Sequence, residues 1–191
     1  VIILNDPFKG GTHLPDVTLV APVYSARGEL AFYTANRAHH ADIGGATPGS
    51  MGMAQEIYQE GFRIPPCHLK SRGSVNEEFM GLFLSNVRVP EERKGDLTAQ
   101  LGALAVGEER LKEIIERYGL PECRTYASHL VDYADRLMRA TIARIPDGEY
   151  TASDVLDDDG AGTVRPEIKV SIKVRGDQAR VDFAASSPQV T

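Results

Sequence analysis

Tryptophan is absent from this 191-residue chain, cysteine occurs twice and methionine four times. Cys67 and Cys123 stand far apart and in no CxxC arrangement. Two such thiols build no disulfide scaffold, so a reducing cytoplasm is the expected setting. No apolar run approaches the roughly 18–20 residues needed to cross a bilayer, and no signal peptide is visible, which argues against a membrane role. Basic residues are too dispersed for a nucleic-acid surface. Lys and Arg number 21 against 27 Asp and Glu, the formal net charge is −6, and no cationic stripe interleaves with aromatics. Neither a GxxxxGK(S/T) nor a GxGxxG motif occurs, so nothing points to ATP or a dinucleotide held by this chain itself. Internal repeats and low-complexity linkers are missing too. The chain opens on Val1, in what reads as a strand already in progress, and Ser186–Thr191 reads as a loop cut short. A portion of a longer polypeptide is therefore expected.

What is present is concentrated between Leu4 and Ser50. Three of the five histidines, His13, His39 and His40, sit there with Asp6, Asp16 and Asp42 in two loops punctuated by Gly and Pro. Asn5-Asp6-Pro7 is a turn signal, and Gly10-Gly11 permits backbone close to a ligand or an ordinary tight turn. Val17–Tyr24 and Glu29–Arg37 are β-rich, and a hairpin turning at Ala26–Gly28 brings both His/Asp clusters to its open end. Imidazoles and carboxylates meeting there form the ligand set of a divalent metal, Zn, Mn or Fe. Neighbouring residues on extended backbone point to opposite sides, so one of His39 and His40 is expected to ligate while the other supports the ligands or the substrate. His40, on the side of Asp42 if the segment stays extended, is the preferred ligand. The metal set is thus His13, Asp16, His40 and Asp42. Asp6, as a further ligand or a group orienting a histidine, and His39 are the catalytic candidates beside it. Glu56 and Glu60 are available as a base, with solvated surface acids the competing reading. His68 and His129 belong to no cluster, and Cys67 is not read as a nucleophile.

The remainder reads as framework. Pro65-Pro66 keeps Phe62–Leu69 extended. A capping box, Ser74 with Glu77, starts a helix over Val75–Asn86. A long helix from about Gly95 to Tyr118 is stopped by Gly119, and another runs from Pro121 to about Arg144, both with apolar residues at helical spacing. Asp154–Gly160 is acidic but lacks the EF-hand ligand pattern. Glu167–Arg175 and Ala179–Ala184 alternate around a Gly176-Asp177 turn, which predicts an antiparallel hairpin with one dry face. The fold class is α+β, an antiparallel or mixed β-sheet structure with a long helical hairpin packed on it. Residues 1–73 are a β-rich site region, 74–146 a helical region and 147–191 a C-terminal β-hairpin region.

The blocks NDPFKGGTHLPDV, ANRAHHADIGGATPGSM, QEGFRIPP, NVRVPEERKGDLTAQLGA and VDFAASSPQV resemble the hydantoinase B / 5-oxoprolinase family, which includes N-methylhydantoinase B-type subunits and the related subunits of acetone and acetophenone carboxylases. The resemblance covers essentially the whole chain, as an internal portion of longer family members. It implies ATP-dependent opening of a small cyclic amide such as 5-oxoproline or a hydantoin, in a hetero-oligomer with a hydantoinase A-type subunit or fused domain that binds the ATP. It places a bound divalent metal among His13, Asp16, His39, His40 and Asp42. In such a scheme ATP on the partner activates the amide oxygen, and the metal polarises the carbonyl or acidifies a water. Two alternatives stand beside it: a subunit of an ATP-dependent ketone carboxylase, and a non-catalytic scaffold for the partner.

Overall fold

Two units emerge in the computed structural model, Val1–Leu120 and Pro121–Thr191. Every residue is described except 159, 161, 163, 164, 190 and 191. The division differs from the three regions expected from sequence: the first half of the helical region belongs with the β-rich site region.

In the first unit the chain runs β1 (Ile2–Leu4), β2 (Asp16–Tyr24) and β3 (Leu30–His39), then a one-turn helix α1 (Ile57–Glu60) and β4 (Cys67–His68). These four strands form one antiparallel sheet in the order β3-β2-β1-β4. A small ladder, β5 (Lys70–Ser71) with β6 (Ser74–Val75), leads into α2 (Glu77–Leu84) and α3 (Pro90–Tyr118). The cap of α2 is Asn76 rather than Ser74, its side chain accepting from Phe79 N, because Ser74 is taken up by β6. Pro90 starts α3 earlier than the apolar recurrence suggested, since proline suits the first helical turn.

The sheet has two unlike faces. Inner residues Val17, Leu19, Ala21 and Val23 of β2 and Ile3 of β1 are buried, and α3 lies against β2 and β3. Leu97 and Leu104 of α3, Phe83 and Met80 of α2, and Leu14, Ile43, Ile64 and Leu69 from the loops complete this core. Each fully buried Leu, Ile or Phe contributes about 1.5–3 kcal/mol, so this one cluster dominates the unit's stability. The outer face carries the cross-strand pairs Asp16–His39, Thr18–Arg37, Val20–Ala35 and Pro22–Tyr33. These side chains are half-buried or exposed.

The second unit holds α4 (Leu120–Ile142) and a three-stranded antiparallel sheet, β7 (Gly148–Val155), β8 (Glu167–Arg175) and β9 (Gln178–Asp182), ordered β7-β8-β9. The hairpin expected around Gly176-Asp177 is there, with Arg175 opposite Gln178. Its dry face is not dry within this chain: Val174 is buried, but Ile168, Val181 and Phe183 are exposed. Of the two helices expected on the sheet, α3 packs as described, whereas α4 has no buried residue. His129 is exposed on α4 with its ring edge-on to Tyr126. Of the acidic stretch Asp154–Gly160, Asp159 lies outside the described residues, as do Val190 and Thr191 of the terminal loop. Antiparallel sheets beside separate helices make this an α+β fold.

Candidate functional site

The β2–β3 hairpin pairs Asp16 with His39 in register, so the His13 loop that enters β2 and the segment that leaves β3 meet at its open end. His39 Nδ1 lies 2.8 Å from Asp16 Oδ1, and the His13 and His39 rings are 5.6 Å apart between centroids. His39 is 57% and Asp16 27% exposed, so the group faces outward. The hydrogen bond to Asp16 engages Nδ1 of His39 and leaves its Nε2 free.

This loop geometry is held from below by Asn5. Its amide donates to Leu14 O at 2.7 Å and Phe62 O at 3.0 Å, and its Oδ1 accepts from Ile64 N at 2.6 Å, tying three segments together in the interior. Gly11 presses on the Asn5 and Asp6 carbonyls so closely that a Cβ there would collide with backbone. Asp6 is buried and its work is local: Oδ1 accepts from Phe8 N at 2.9 Å, and Oδ2 lies 3.6 Å from Arg63 Nε.

His40 points the other way. It is 1% exposed, and its Nε2 lies 2.9 Å from Gln100 Oε1 on α3. Gln100 Nε2 donates to Val17 O and to Asn36 Oδ1, both at 3.0 Å, and Asn36 Nδ2 donates to Gln100 O at 2.8 Å. Because the Gln100 amide nitrogen is committed as donor, its Oε1 accepts, and His40 carries its proton on Nε2. Its Nδ1 lone pair is buried with no hydrogen-bond partner. Burial pushes the His40 pKa below the ordinary histidine value, outweighing the Gln100 hydrogen bond that acts upward.

Asp42 is clamped elsewhere. Its Oδ1 accepts from Gly44 N at 3.1 Å and from Arg88 Nη1 at 2.8 Å, and its Oδ2 accepts from Arg88 N at 2.6 Å. Arg88 continues to the Gly45 and Ala46 carbonyls and so locks the Gly-rich loop. Gly45 there has φ +80°, and a Cβ would lie 2.6 Å from Gln59 O. Glu60 lines a hollow of about 60 Å³ with Ala46, Thr47, Ser50 and Gln59, and among the described contacts nothing links it to the histidines. Glu56 is the residue just before α1 and is exposed.

The structure therefore brings together His13, Asp16 and His39, and takes His40 and Asp42 away from them into separate buried networks. The expected alternation of His39 and His40 is present, with the outward member being His39. Among the described residues no group of three or more His, Cys, Asp or Glu side chains is set to hold a metal ion as it stands. The donor chemistry at the open end of the hairpin nevertheless fits a divalent metal: two imidazoles and a carboxylate from two adjoining segments. His40 and Asp42 fit it poorly, since Asp42 is fully spoken for by Arg88. Gln100, Asn36, Arg88 and Asn5 were not singled out from sequence. Gln100 left a trace there, as a polar residue between Leu97 and Leu104 on the apolar stripe of α3.

All 191 residues match the family model described as Hydantoinase B/oxoprolinase. The chain belongs to the Hydantoinase B/oxoprolinase family. It is 42% identical to the beta subunit of the caprolactamase of Pseudomonas jessenii, covering 100% of this chain and 32% of that one. It is 38% identical to the B-type subunit of a putative D-/L-hydantoinase of Pseudomonas sp. (strain NS671), covering 100% and 33%. The crystal structure of the ATP-dependent caprolactamase from Pseudomonas jessenii superposes with a TM-score of 0.91 at 41% identity, over 99% of this chain and 33% of that chain. A nucleotide-free acetone carboxylase structure gives 0.87 at 20% identity, over 97% and 26%, a likeness of fold. The chain thus spans about a third of the length of its bacterial relatives. Among the described residues no helix is long and apolar enough to cross a membrane.

Proposed function

We propose that this family member forms part of an ATP-dependent cyclic-amide hydrolase and supplies its ring-opening face, with the ATP held on a partner of the hydantoinase A type. The observation that carries this reading is the convergence of His13, Asp16 and His39 on the sheet face that no helix of the first unit covers. The relatives' names, caprolactamase, hydantoinase and 5-oxoprolinase, supply the substrate class.

His13, Asp16 and His39 are the residues that would hold a divalent metal here, through their two imidazoles and the Asp16 carboxylate. Such an ion contributes Lewis acidity towards a carbonyl and lowers the pKa of a bound water. Asp16 has a second task, fixing the ring of His39 through its hydrogen bond to Nδ1. His40 stays neutral and, with Gln100, anchors the end of β3 to α3 so that His39 is presented outward. Asp42 and Arg88 shape the adjoining Gly-rich loop. The likeness to acetone carboxylase is one of fold and does not favour carboxylation.

Elemental analysis of the full-length protein in complex with its partner, with and without His13→Ala/His39→Ala, tests this reading. Stoichiometric metal in the parent, lost in a folded double variant but kept in His40→Asn, is the expected result. Equal metal content in all three, or none in a complex that opens cyclic amides with ATP, overturns the assignment.

A further inference from the structure

We infer that Arg37 is an anion-binding residue of the ring-opening face, taking the oxygens of an anionic group on the substrate, a carboxylate or a phosphoryl group. The inference rests on the reading of that face as the site of cyclic-amide hydrolysis. It deepens that reading with a residue and a ligand chemistry.

Arg37 lies two residues before His39 on β3, on the same outer face, roughly 7 Å away along the strand. Its cross-strand partner is Thr18, as Asp16 is that of His39. Two of its five N–H donors are used, and both go to hydroxyls: Nε to Thr18 Oγ1 at 2.9 Å and Nη1 to Thr12 Oγ1 at 3.1 Å. Among the described residues no carboxylate pairs with it, whereas Arg63 and Arg88 of the same unit each face one, Asp6 and Asp42. The two threonines fix the guanidinium plane without neutralising it. One Nη1 proton and both Nη2 protons stay available.

A structural arginine gains most from a carboxylate, and a planar fork held by neutral acceptors is prepared for the paired oxygens of a carboxylate or phosphate. Preorganisation lowers the entropy lost when the anion arrives. On its far side the same face continues into Val20 and Ala35, a small apolar shelf in register with Ile2 of β1.

Both possible anions exist in this chemistry. A lactam such as 5-oxoproline carries its own carboxylate, whereas caprolactam carries none and becomes anionic only when its amide oxygen takes a phosphoryl group from ATP. The competing explanation is that Arg37 merely tethers the Thr12–His13 loop to β3.

The test is Arg37→Met and Arg37→Lys in the full-length complex, with ATP and each of the two lactams, alongside metal content and Tm. If the substrate's carboxylate is the ligand, Arg37→Met raises KM about tenfold or more for 5-oxoproline and leaves caprolactam within about twofold, and Arg37→Lys recovers part of the loss. If the phosphoryl group is the ligand, kcat falls for both lactams with KM unchanged while ATP hydrolysis continues. Either result supports the inference. Unchanged constants for both overturn it, as does an equal loss accompanied by lost metal or lowered Tm, which is what a tether predicts. Calorimetric titration with inorganic phosphate and with acetate separates the two levels of argument. If the complex opens no lactam, the functional reading fails. Binding of either anion, lost in Arg37→Met, then still establishes the site, and binding of neither overturns it.

Discussion

The two sides of one short segment, Asn36 to His40, obey opposite rules. On the inner side Asn36 and His40 share a network with Gln100, whose amide serves His40 Nε2, a buried carbonyl and a second amide at once, while His40 Nδ1 stays buried without a partner. On the outer side Arg37 and His39 keep free donors and free nitrogens, with partners limited to two hydroxyls and one carboxylate. Buried polar groups are costly unless completed, so the inner side has spent its hydrogen bonds on architecture. The outer side is left with unspent valence, and unspent valence at an open face is what ligand chemistry needs. Two histidines adjacent in sequence therefore have unrelated roles, decided by which way the strand turns each one.

The inner side breaks first and hardest. Gln100→Leu keeps the volume of the side chain but strands His40 Nε2, Asn36 Oδ1 and the Val17 carbonyl in the interior. With each orphaned group costing about 1–3 kcal/mol, a loss on the order of 3–4 kcal/mol is expected in urea unfolding of the full-length protein. A loss under about 0.5 kcal/mol, the size of an ordinary surface change, would show that water replaces the amide.

The outer side answers to the opposite measurement. His39→Ala removes a half-exposed ring from the face and is expected to leave stability within about 0.5 kcal/mol. Amide-opening activity is expected to fall about 100-fold, the scale on which supporting or ligating groups at metal sites act. Asp16→Asn, which changes the hydrogen bond to His39 Nδ1, falls in the same direction by less. Steady-state rates beside a thermal melt decide the matter. A variant that melts early and loses activity in proportion places His39 with the architecture after all.

Much of this contrast was legible before any coordinates. The β-rich composition of Val17–Tyr24 and Glu29–Arg37 and the turn at Ala26–Gly28 pointed to the hairpin, and the hairpin alone puts His13, Asp16 and His39 at one end. The choice between His39 and His40 was not legible, because it depends on the register of the last β3 residues and on Gln100, 60 residues away. Alternation says that the two differ without saying which is inside. Asp42 misled for a similar reason: a carboxylate beside two histidines looks like a ligand until Arg88, reached only by folding, claims both of its oxygens. The helices show the same limit. Apolar spacing revealed that α3 and α4 each have a stripe, and only the fold distinguishes Leu97 and Leu104, buried, from Leu130 and Leu137, exposed.

Acid sharpens the comparison more gently. Burial holds His40 below the ordinary value of 6.5, so between its folded pKa and 6.5 the unfolded chain binds a proton that the folded chain refuses. The stability contributed by neutral His40 is fully present above that window and is lost as pH falls through it. The limiting slope is one proton, about 1.4 kcal/mol per pH unit. His40→Gln, whose amide nitrogen reaches the Nε2 position and still donates to Gln100 Oε1, is expected to flatten the decline as pH falls below about 6.5. An unchanged slope in that variant assigns the acid sensitivity to other groups.

The smallest effect is expected from Thr18→Val, and it separates the sides most cleanly. Thr18 is half-buried on the outer face, and its hydroxyl is the acceptor for Arg37 Nε. Valine is at least as good in a strand, so stability is expected to move by no more than about 0.5 kcal/mol, in either direction. What changes is the order of the guanidinium, which keeps its charge and its Thr12 contact but loses one of the two bonds that define its plane. Affinity for inorganic phosphate or acetate is then expected to weaken by a fewfold, less than on removing Arg37. A loss of stability of a kilocalorie or more instead makes the Thr18–Arg37 bond structural and puts the outer face under the same rule as the inner one.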